Sequence, residues 1–513
     1  MKKTVKLHSG PGSLKNSWVL LLFCVAATIP MPAQSFTNLV TFNNTNGGNP
    51  LGSLIQGVDG NLYGTTAGGG PQGFGTAFQM TTTGNLTVIY NFCSLRNCVD
   101  GFNPAAGLAL GEDGNFYGTT TYGGVGGDYC NTTGCGAVFK LTPTGTLTTL
   151  YSFCIQTECA DGANPLGALV QGANGAFYGT TTRGDPFTNS GTVFEITSTG
   201  EFTVRHDLAG SDGYDPQSAL TQGRDGNFYG TAQQGGGPTF CPSGSCGTIF
   251  KMSPSGTFSV LYDFCSQGTP CADGSNPVGG LVQGSDGNFY GTTVLGDTNN
   301  YSGTIFKITP SGVLTTLYRF CSKTNCTDGA APEGTLVEGT DGNFYGTTEG
   351  GGRPRCVNGS TGLTGCGTVF RITPAGKLTT LYAFCPQKYC HDGAQPQAGL
   401  FQATDGNFYG TTVYGGAHCF NITCGTVYRL SVGLGPFVSL PQPSGKVGQS
   451  VQILGQGLTG TTGVFFSGTP ASFTIVSDTY IQASVPAGAT TGRVQVTTSS
   501  GPLKSNVLFH VVR

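Results

Sequence analysis

The sequence predicts an all-β protein whose main body is a seven-bladed β-propeller of four-stranded blades. Three observations lead to this prediction: a unit of four short strands recurs seven times, tight turns join its strands in pairs, and the two ends of the array complement each other. The repeated region covers residues 34–431 of a 513-residue chain. Four-stranded sheets repeated around an axis are the blades of a propeller.

The repeated unit is clearest in the fifth copy, residues 280–320. Its segments are rich in β-branched and aromatic residues and are bounded by Gly, Pro, Asp or Asn, as strands are. Asp286-Gly287 joins the first pair of segments, and a Pro-Ser-Gly turn after Thr309 joins the second pair. Both are tight-turn sequences. The predicted strands of this copy are residues 280–284, 288–293, 303–309 and 313–320.

Corresponding turns occur once per copy, with a mean spacing of about 58 residues. Familiar propeller repeats are ~40 to 50 residues long. We therefore expect the excess length to lie in loops. The third copy is unusual because it has Asn-Gly-Ala in place of Asp-Gly-Asn. The turn residues are Asp59, Asp113, Asn174, Asp225, Asp286, Asp341 and Asp405.

The ends of the array predict how it closes. The seventh copy stops after its third strand, residues 425–430, while residues 36–42 match a fourth strand that has no preceding partners. We expect the N-terminal strand to complete the seventh blade and remove an open sheet edge. An open solenoid is the alternative, but it would have no use for this offset.

The repeat also predicts two unlike faces. Connections after strands one and three are tight turns and emerge on one side, here called the turn face. Connections after strands two and four emerge on the other side, here called the loop face, and contain nearly all the length variation. Because function concentrates on loops held by a rigid scaffold, the loop face is the candidate functional surface.

The N-terminus has the features of a secretory signal peptide. Lysines at positions 2, 3, 6 and 15 precede an apolar run at residues 18–29, and Ala33 follows it. The run is short for a membrane span. We expect cleavage near Ala33, which assigns residues 1–33 to the signal, leaves no transmembrane segment, and places the protein outside the cell, on its surface or in the periplasm.

The cysteines predict disulfide bonds. Of the 19 cysteines, Cys24 lies in the signal, and the other 18 form nine sequence-local pairs. In an exported chain this pattern indicates disulfides. Metal or haem binding is the weaker alternative, because the spacings differ from zinc motifs and histidine is scarce. The pairs are Cys93/Cys98, Cys130/Cys135, Cys154/Cys159, Cys241/Cys246, Cys265/Cys271, Cys321/Cys326, Cys356/Cys366, Cys385/Cys390 and Cys419/Cys424.

Six loops between copies contain an Asp-Gly pair, with Asn46-Gly47 as the seventh equivalent. Arranged around an axis, these carboxylates would ring the channel mouth and bind a cation such as calcium or a polar ligand. Alternatively, each Asp caps its own turn by accepting backbone N–H bonds. The residues are Asp100, Asp161, Asp212, Asp273, Asp328 and Asp392. We predict no cofactor and no other metal site.

The repeat, D-G-N-F-Y-G-T-T followed by G-T-V-F-K-I-T-P-x-G-x-L-T-T-L-Y-x-F, resembles the GloVer tandem repeat of exported bacterial proteins. That resemblance implies no defined activity. A linker at residues 432–436 follows the array. Residues 437–513 contain a G-x-x-V-x-I-x-G-x-G-L pattern and resemble an immunoglobulin-like IPT/TIG domain, which implies a small β-sandwich that serves as a spacer or adhesive module.

Sequence motifs of enzymes are absent, and the glutamates do not recur in register. The net charge of −3 gives no basic surface for nucleic acid. The leading hypothesis is a non-catalytic exported protein for binding, adhesion or scaffolding, with an extracellular glycan or surface protein as partner. The alternatives are a carbohydrate-active enzyme, such as a lyase or glycosidase, and a self-associating envelope protein. The glutamates considered are Glu112, Glu158, Glu195, Glu201, Glu333, Glu338 and Glu349.

Overall fold

The computed structural model describes most of the chain after the predicted signal peptide, which lies outside the described residues. The described residues are 34–125, 130, 134–184, 190–237, 246–267, 271–296, 302–354, 356, 364–386, 389–416 and 424–512. They form strands, turns and short 3₁₀ helices, which confirms the all-β prediction. Over these ranges, no helix has the length and apolar character that crossing a membrane requires.

In the part of the repeated region that the structure describes there are seven four-stranded sheets, which resemble propeller blades. Strand β1 (Ser35–Thr41) precedes the first copy, which contains β2 (Ile55–Gln56), β3 (Leu62–Thr66), β4 (Thr76–Met80) and β5 (Leu86–Asn91). The second contains β6 (Ala109–Leu110), β7 (Phe116–Thr120), β8 (Ala137–Leu141) and β9 (Leu147–Ser152). The third contains β10 (Val170–Gln171), β11 (Phe177–Thr181), β12 (Thr192–Ile196) and β13 (Phe202–Asp207). The fourth contains β14 (Thr221–Gln222), β15 (Phe228–Ala232), β16 (Thr248–Met252) and β17 (Phe258–Asp263).

The remaining copies follow the same order. The fifth contains β18 (Val282–Gln283), β19 (Phe289–Thr293), β20 (Thr304–Ile308) and β21 (Leu314–Arg319). The sixth contains β22 (Val337–Glu338), β23 (Phe344–Thr348), β24 (Thr368–Ile372) and β25 (Leu378–Ala383). The seventh contains β26 (Phe401–Gln402), β27 (Phe408–Thr412) and β28 (Thr426–Ser431). Short 3₁₀ helices lie at Arg96–Cys98, Thr157–Cys159, Thr324–Cys326 and Leu458–Gly460.

The first strand of each copy is shorter than the sequence predicts. In the fifth copy it spans Val282–Gln283 instead of residues 280–284. The reason is contact with the next copy, because the Gly280 N–H donates to the Thr335 hydroxyl at 2.9 Å and not to a strand of its own sheet. The first strands of the first three copies also contact each other, β2 with β6 and β6 with β10.

The second strand is buried along its whole length, and the glycine at its centre makes room for an aromatic ring from strand three. A Cβ atom on Gly118 would lie 2.5 Å from Cζ of Phe139. Its neighbour Tyr117 packs outward against the next copy, with its ring centroid 4.0 Å from that of Phe177. Equivalent ring contacts join the other sheets, except that Tyr409 meets Leu62 in one core cluster. The tyrosines of the second strands thus pack between neighbouring sheets.

The N-terminal strand completes the sheet of the seventh copy, as predicted. β1 pairs antiparallel with β28, with Ser35 opposite Ser431 and Thr41 opposite Thr426. Buried Phe42 lies in the same cluster as Tyr409 and residues of the first sheet. The two ends of the array are therefore joined by backbone pairing and by a shared core.

The turn face is held by one repeated hydrogen-bond group. In the second copy Asp113 accepts from the Tyr117 hydroxyl at 2.8 Å and pairs with Lys140 at 2.7 Å. The third copy has its carboxylate at the Lys position instead: Asn174 replaces the Asp and donates to Glu195, which replaces the Lys, at 3.2 Å. The exchange explains why this turn departs from the repeat, since an amide–carboxylate bond replaces an ion pair.

Residues 437–512, here called the C-terminal module, form two further sheets with strand orders β29-β36-β35-β31-β32 and β30-β34-β33. The two sheets share one hydrophobic core. The module begins against the turn face, where the Phe437 N–H donates to the Thr404 carbonyl at 3.1 Å. The strands are β29 (Ser444–Lys446), β30 (Ser450–Leu454), β31 (Gly463–Phe466), β32 (Thr469–Ala471), β33 (Phe473–Ser477), β34 (Tyr480–Ser484), β35 (Gly492–Thr498) and β36 (Gly501–Val512).

Candidate functional site

A cleft of about 640 Å³ opens on the loop face. It is here called the loop-face cleft, and it draws on the first four copies. Two segments of a copy contribute: the residues just before the first strand and the residues just after the second. Its lining residues are Leu51, Asn103, Ala105, Thr121, Tyr122, Asn164, Leu166, Thr182, Arg183, Tyr214, Asp215 and Gln234.

The polar residues of the cleft owe their positions to an unusual backbone conformation. Asn103, Asn164 and Asp215 each precede a proline and have φ between 54° and 59°. Among residues with a side chain, Asn and Asp adopt this left-handed region most readily. Short backbone bridges then tie the neighbouring residues to the segment after strand two. Sequence reasoning missed these residues, although the recurring Asn-Pro pair was a signal for them. The bridges are Phe102–Tyr122, Ala163–Arg183 and Tyr214–Gln234.

An aromatic platform borders the cleft. The ring centroids of Phe102 and Tyr122 are 5.4 Å apart, and Phe74 lies 5.1 Å beyond Phe102. Tyr122 is 38% exposed and Phe74 equally so. The cleft thus offers exposed ring faces beside amide, guanidinium and carboxylate groups, a combination that suits a ligand with both hydroxyls and an apolar face.

Asp215 is the acidic group of the cleft. Burial raises the pKa of this carboxyl, and a hydrogen bond from Gln217 and the charge of Arg183 partly oppose the shift. The Gln217 amide donates to Asp215 at 3.0 Å and to the Gln233 side chain at 2.8 Å. Opposite charges and several donors and acceptors therefore lie along one wall.

Two glutamates of the sixth copy, Glu333 and Glu349, lie next to each other. The sequence did not indicate this contact, because the glutamates do not recur at equivalent positions of the repeat. Burial and the neighbouring Glu349 carboxylate raise the pKa of Glu333 well above its usual value, and the two carboxyls are hydrogen-bonded. Gln397 also donates to Glu349, at 3.2 Å. The fourth copy places the neutral pair Gln217 and Gln233 at the same positions. The raised pKa favours the protonated form of the Glu333 carboxyl.

The six aspartates of the Asp-Gly loops are each engaged within their own loop. Asp100, Asp161, Asp273 and Asp328 have no exposed surface. Each of the six accepts from an aromatic side chain of the preceding strand. Backbone N–H groups of the loops also donate to these carboxylates, such as Ser94 to Asp100 at 2.8 Å, as the turn-capping interpretation expects. The cation site stays a prediction. The pairs are Tyr90–Asp100 2.8 Å, Tyr151–Asp161 2.9 Å, His206–Asp212 3.0 Å, Tyr262–Asp273 2.8 Å, Tyr318–Asp328 2.7 Å and Tyr382–Asp392 2.8 Å.

Disulfide bonds hold the loops of this face. Seven of the nine predicted pairs are bridged among the described residues, and the other two pairs include Cys241 and Cys419, which lie outside them. Their partners Cys246 and Cys424 are disulfide-bonded. In the sixth copy the bridge within the copy touches the bridge of the following loop, with 3.8 Å between the sulfurs of Cys356 and Cys390. The two bridges therefore pack against each other.

Comparisons with solved structures find distant similarities. The extracellular domain of BT4673 from B. thetaiotaomicron, described as a hybrid two component system, shares 10% identity with a TM-score of 0.48, over 94% of this chain and 59% of that one. The corresponding domain of BT3049 shares 11% identity with a TM-score of 0.46, over 93% and 53%. The chain thus spans little more than half the length of these domains. A Bacteroides fragilis protein described as a 6-phosphogluconolactonase shares 18% identity with a TM-score of 0.40, over 65% and 83%.

A comparison with curated proteins finds no match. The model of the Gloeobacter/Verrucomicrobia repeat matches residues 27–241, 130–359 and 242–475, which together extend over most of the sequence. This match includes all seven sheets and confirms the GloVer resemblance of the repeated unit. The chain belongs to the Gloeobacter/Verrucomicrobia repeat family.

Proposed function

We propose that this chain is an exported, non-catalytic binding protein that takes a glycan in the loop-face cleft. In this proposal the seven sheets form a closed seven-bladed propeller, and the C-terminal module is an IPT/TIG-like, immunoglobulin-type domain. Contacts between the first and seventh copies support closure. The Thr404 N–H donates to Gln56 at 3.0 Å, and the Thr411 hydroxyl donates to the Pro50 carbonyl at 3.0 Å.

The observation that carries the proposal is the composition of the cleft. Saccharides present hydroxyls that bond to planar amide, carboxylate and guanidinium groups, and C–H faces that pack on aromatic rings. Asn103, Asn164, Arg183 and Asp215 supply the first kind of group, and Tyr122 supplies the second. No tryptophan remains after the predicted signal peptide, so tyrosine is the available stacking residue.

Export is supported by the disulfide bonds. Bridges of this kind persist in oxidising compartments, and they lie on the same face as the cleft. They would hold the loops of the site in place outside the cell, in the periplasm or on the cell surface.

A glycosidase alternative would need two carboxyl groups about 5 Å or more apart across the scissile bond. Glu333 and Glu349 are hydrogen-bonded to each other instead, and Glu349 is buried. This pair therefore lacks the spacing for that chemistry. A surface protein as ligand and self-association as an envelope component stay as outcomes of the test.

The test compares two tyrosines at equivalent positions. Tyr122 lines the cleft, whereas Tyr414 of the seventh copy has 40% exposure, a similar backbone bridge, and no place in the cleft lining. The mature chain would be screened on a glycan array, and the affinity of the best glycan measured by calorimetry. We expect Tyr122→Ala to weaken binding at least tenfold and Tyr414→Ala to leave it unchanged.

Equal losses from both variants would place the ligand elsewhere and contradict the proposal. Turnover of a bound polysaccharide would favour the enzyme alternative. A silent array, together with concentration-dependent self-association, would favour the structural one.

A further inference from the structure

Neighbouring sheets are linked on the turn face by a repeated hydrogen bond. The side chain that ends the first strand of one copy accepts from a backbone N–H of the copy before it. Gln or Glu occupies this position in six copies, and all six bonds are present. They are Thr404–Gln56 3.0 Å, Glu112–Gln171 3.1 Å, Ala173–Gln222 3.0 Å, Arg224–Gln283 2.9 Å, Ser285–Glu338 2.9 Å and Thr340–Gln402 3.2 Å.

The second copy breaks this pattern. Its residue at this position is Leu110, which cannot accept a hydrogen bond, so the link between the first and second copies is missing. Leu110 is buried in an apolar cluster that includes Leu454 of the C-terminal module, with Val58 and Tyr480 packed against it. The repeated hydrogen bond is therefore missing between the first and second copies, where Leu454 of the module packs.

Polar groups of the module surround this apolar contact and bond to the same two copies. Gln452 donates to the Glu112 carbonyl at 2.9 Å, and Gln442 donates to the Leu110 carbonyl at 3.2 Å. The Thr479 hydroxyl donates to the Val58 carbonyl at 2.8 Å. Gln442 also reaches the Gln171 side chain at 2.9 Å, so it joins the ring that Leu110 leaves incomplete.

We propose that the turn face around Leu110 is a docking surface for the C-terminal module and that Leu110 determines which copy the module occupies. A glutamine at this position would complete the ring and place a polar amide against Leu454. A leucine removes that amide and supplies apolar surface instead. The other six copies have Gln or Glu at this position, so an apolar residue here distinguishes the second copy from all of them. The module is then a fixed cap on the turn face, and the loop face is the free one.

Leu454 has the matching role on the module. It ends strand β30 and is 3% exposed, yet it packs with residues of the first and second copies and not with the core shared by the module's own sheets. A change at Leu454 therefore tests the docking contact while leaving the core of the module intact.

The test uses the full mature chain and hydrogen–deuterium exchange of the module's contact segments, residues 449–454 and 478–480. In Leu110→Gln we expect exchange in these segments to accelerate at least tenfold and the radius of gyration in small-angle scattering to increase. Exchange in the sheets of copies four to six should stay unchanged. The matched control is Gln283→Leu, which makes the reverse exchange in the fifth copy and should leave the module's protection as it is.

Wild-type protection of both segments in Leu110→Gln would overturn the proposal, as would equal loosening by Gln283→Leu. If Leu110→Gln does not fold, Leu454→Gln makes the same test from the module side. Intact protection around residues 58 and 110–112 in that variant would contradict the proposal. None of these readouts depends on a ligand of the loop-face cleft, so a failure here is separate from a failure of the proposed glycan binding.

Discussion

The turn face and the loop face are built by the same seven copies, yet the pKa values of Asp113 on the turn face and Asp273 on the loop face are shifted in opposite directions. On the turn face, partial burial raises the pKa of Asp113, but bonds from Lys140, Asn115 and Tyr117 outweigh it and lower the pKa to about 2. On the loop face, burial raises the pKa of Asp273, and its hydrogen bonds offset that shift only in part. Asp113 is paired with a cation at the surface, whereas Asp273 is enclosed by its own loop.

This difference shows how one repeat serves two purposes. The turn face repeats with few changes, and the replacement of a glutamine by Leu110 is the change that coincides with the contact of the C-terminal module. The loop face varies in length and side chains from copy to copy, so the residues that line its cleft differ between the copies that contribute to it. Recognition by the two faces would then be separable, and variants of one should leave the other intact.

The largest expected effect comes from removing what both faces depend on. Deleting residues 35–42 would expose the edge of β28. It would also remove the buried Phe42 side chain, whose place in the core nothing else would fill. Since truncation of a buried Phe alone costs about 3–5 kcal/mol, we expect the deletion to cost at least that. Thermal unfolding followed by circular dichroism would measure it. Ser35→Ala, an exposed change in the same strand, is the control, and a deletion variant that melts like the intact chain would refute the joining of the array's two ends.

The second prediction compares one aspartate from each face. Asp328 is buried and accepts from the Tyr318 hydroxyl at 2.7 Å and from Ser322 N–H at 3.0 Å. Asp286 is exposed and accepts from the Tyr290 hydroxyl at 2.8 Å. We expect Asp328→Asn to cost about 2–3 kcal/mol and Asp286→Asn about 1 kcal/mol. Chemical denaturation gives both values, and equal costs would mean that burial does not distinguish the two faces.

Much of the fold could be predicted from sequence because each copy repeats the same local signals. Strand composition, Asp-Gly turns and the offset between Phe42 and the end of the seventh copy led to the sheets and to the pairing of β1 with β28. The predicted first strands were too long, since contacts with the neighbouring copy, such as the bond from Gly280 to Thr335, replace ladder pairing there.

The sequence predicted which face carries the candidate site, but not the residues that form it. Glu333 and Glu349 are sixteen positions apart, and only the pairing of β22 with β23 brings their ends together. The left-handed backbone at Asn103 and Asn164 is a property of the loop geometry, although the recurring Asn-Pro pair hinted at it. Leu110 was visible as an exception among glutamines, but its meaning requires the position of Leu454.

A smaller effect should follow from opening one loop-face bridge. Replacing both Cys321 and Cys326 by Ser frees a loop of six residues. Closure of so short a loop contributes about 2 kcal/mol through the unfolded chain. We expect a drop of a few degrees in Tm and faster hydrogen exchange of residues 321–328, with no change at the turn-face segment 286–290. Faster exchange at both segments would show that the bridges stabilise the whole array and not their own loops.

The smallest effect concerns the Glu333–Glu349 pair and appears as a pH dependence. Because burial and Glu349 raise the pKa of Glu333 above its unfolded value of 4.5, the folded protein holds a proton that the unfolded chain releases. Stability therefore falls as pH rises from 4.5 through the folded pKa, and it is unaffected by this group at lower pH. Glu333→Gln removes that loss, so the variant should match the parent near pH 4 and melt at a higher temperature near pH 7.

The measurement is Tm across pH 4 to 8, with Glu201→Gln, an exposed glutamate, as the control for a change of net charge. The neutral Gln217–Gln233 pair at the same positions of the fourth copy shows that an amide fits this geometry, with 2.8 Å between the side chains. If the Tm of the variant differed from that of the parent by the same amount at every pH, packing and not protonation would be the cause of the difference. If the fall of Tm with rising pH disappears in Glu333→Gln and not in Glu201→Gln, the group that binds a proton on folding lies on the loop face. Asp113 of the turn face is the opposite case, because its lowered pKa makes it release its proton on folding.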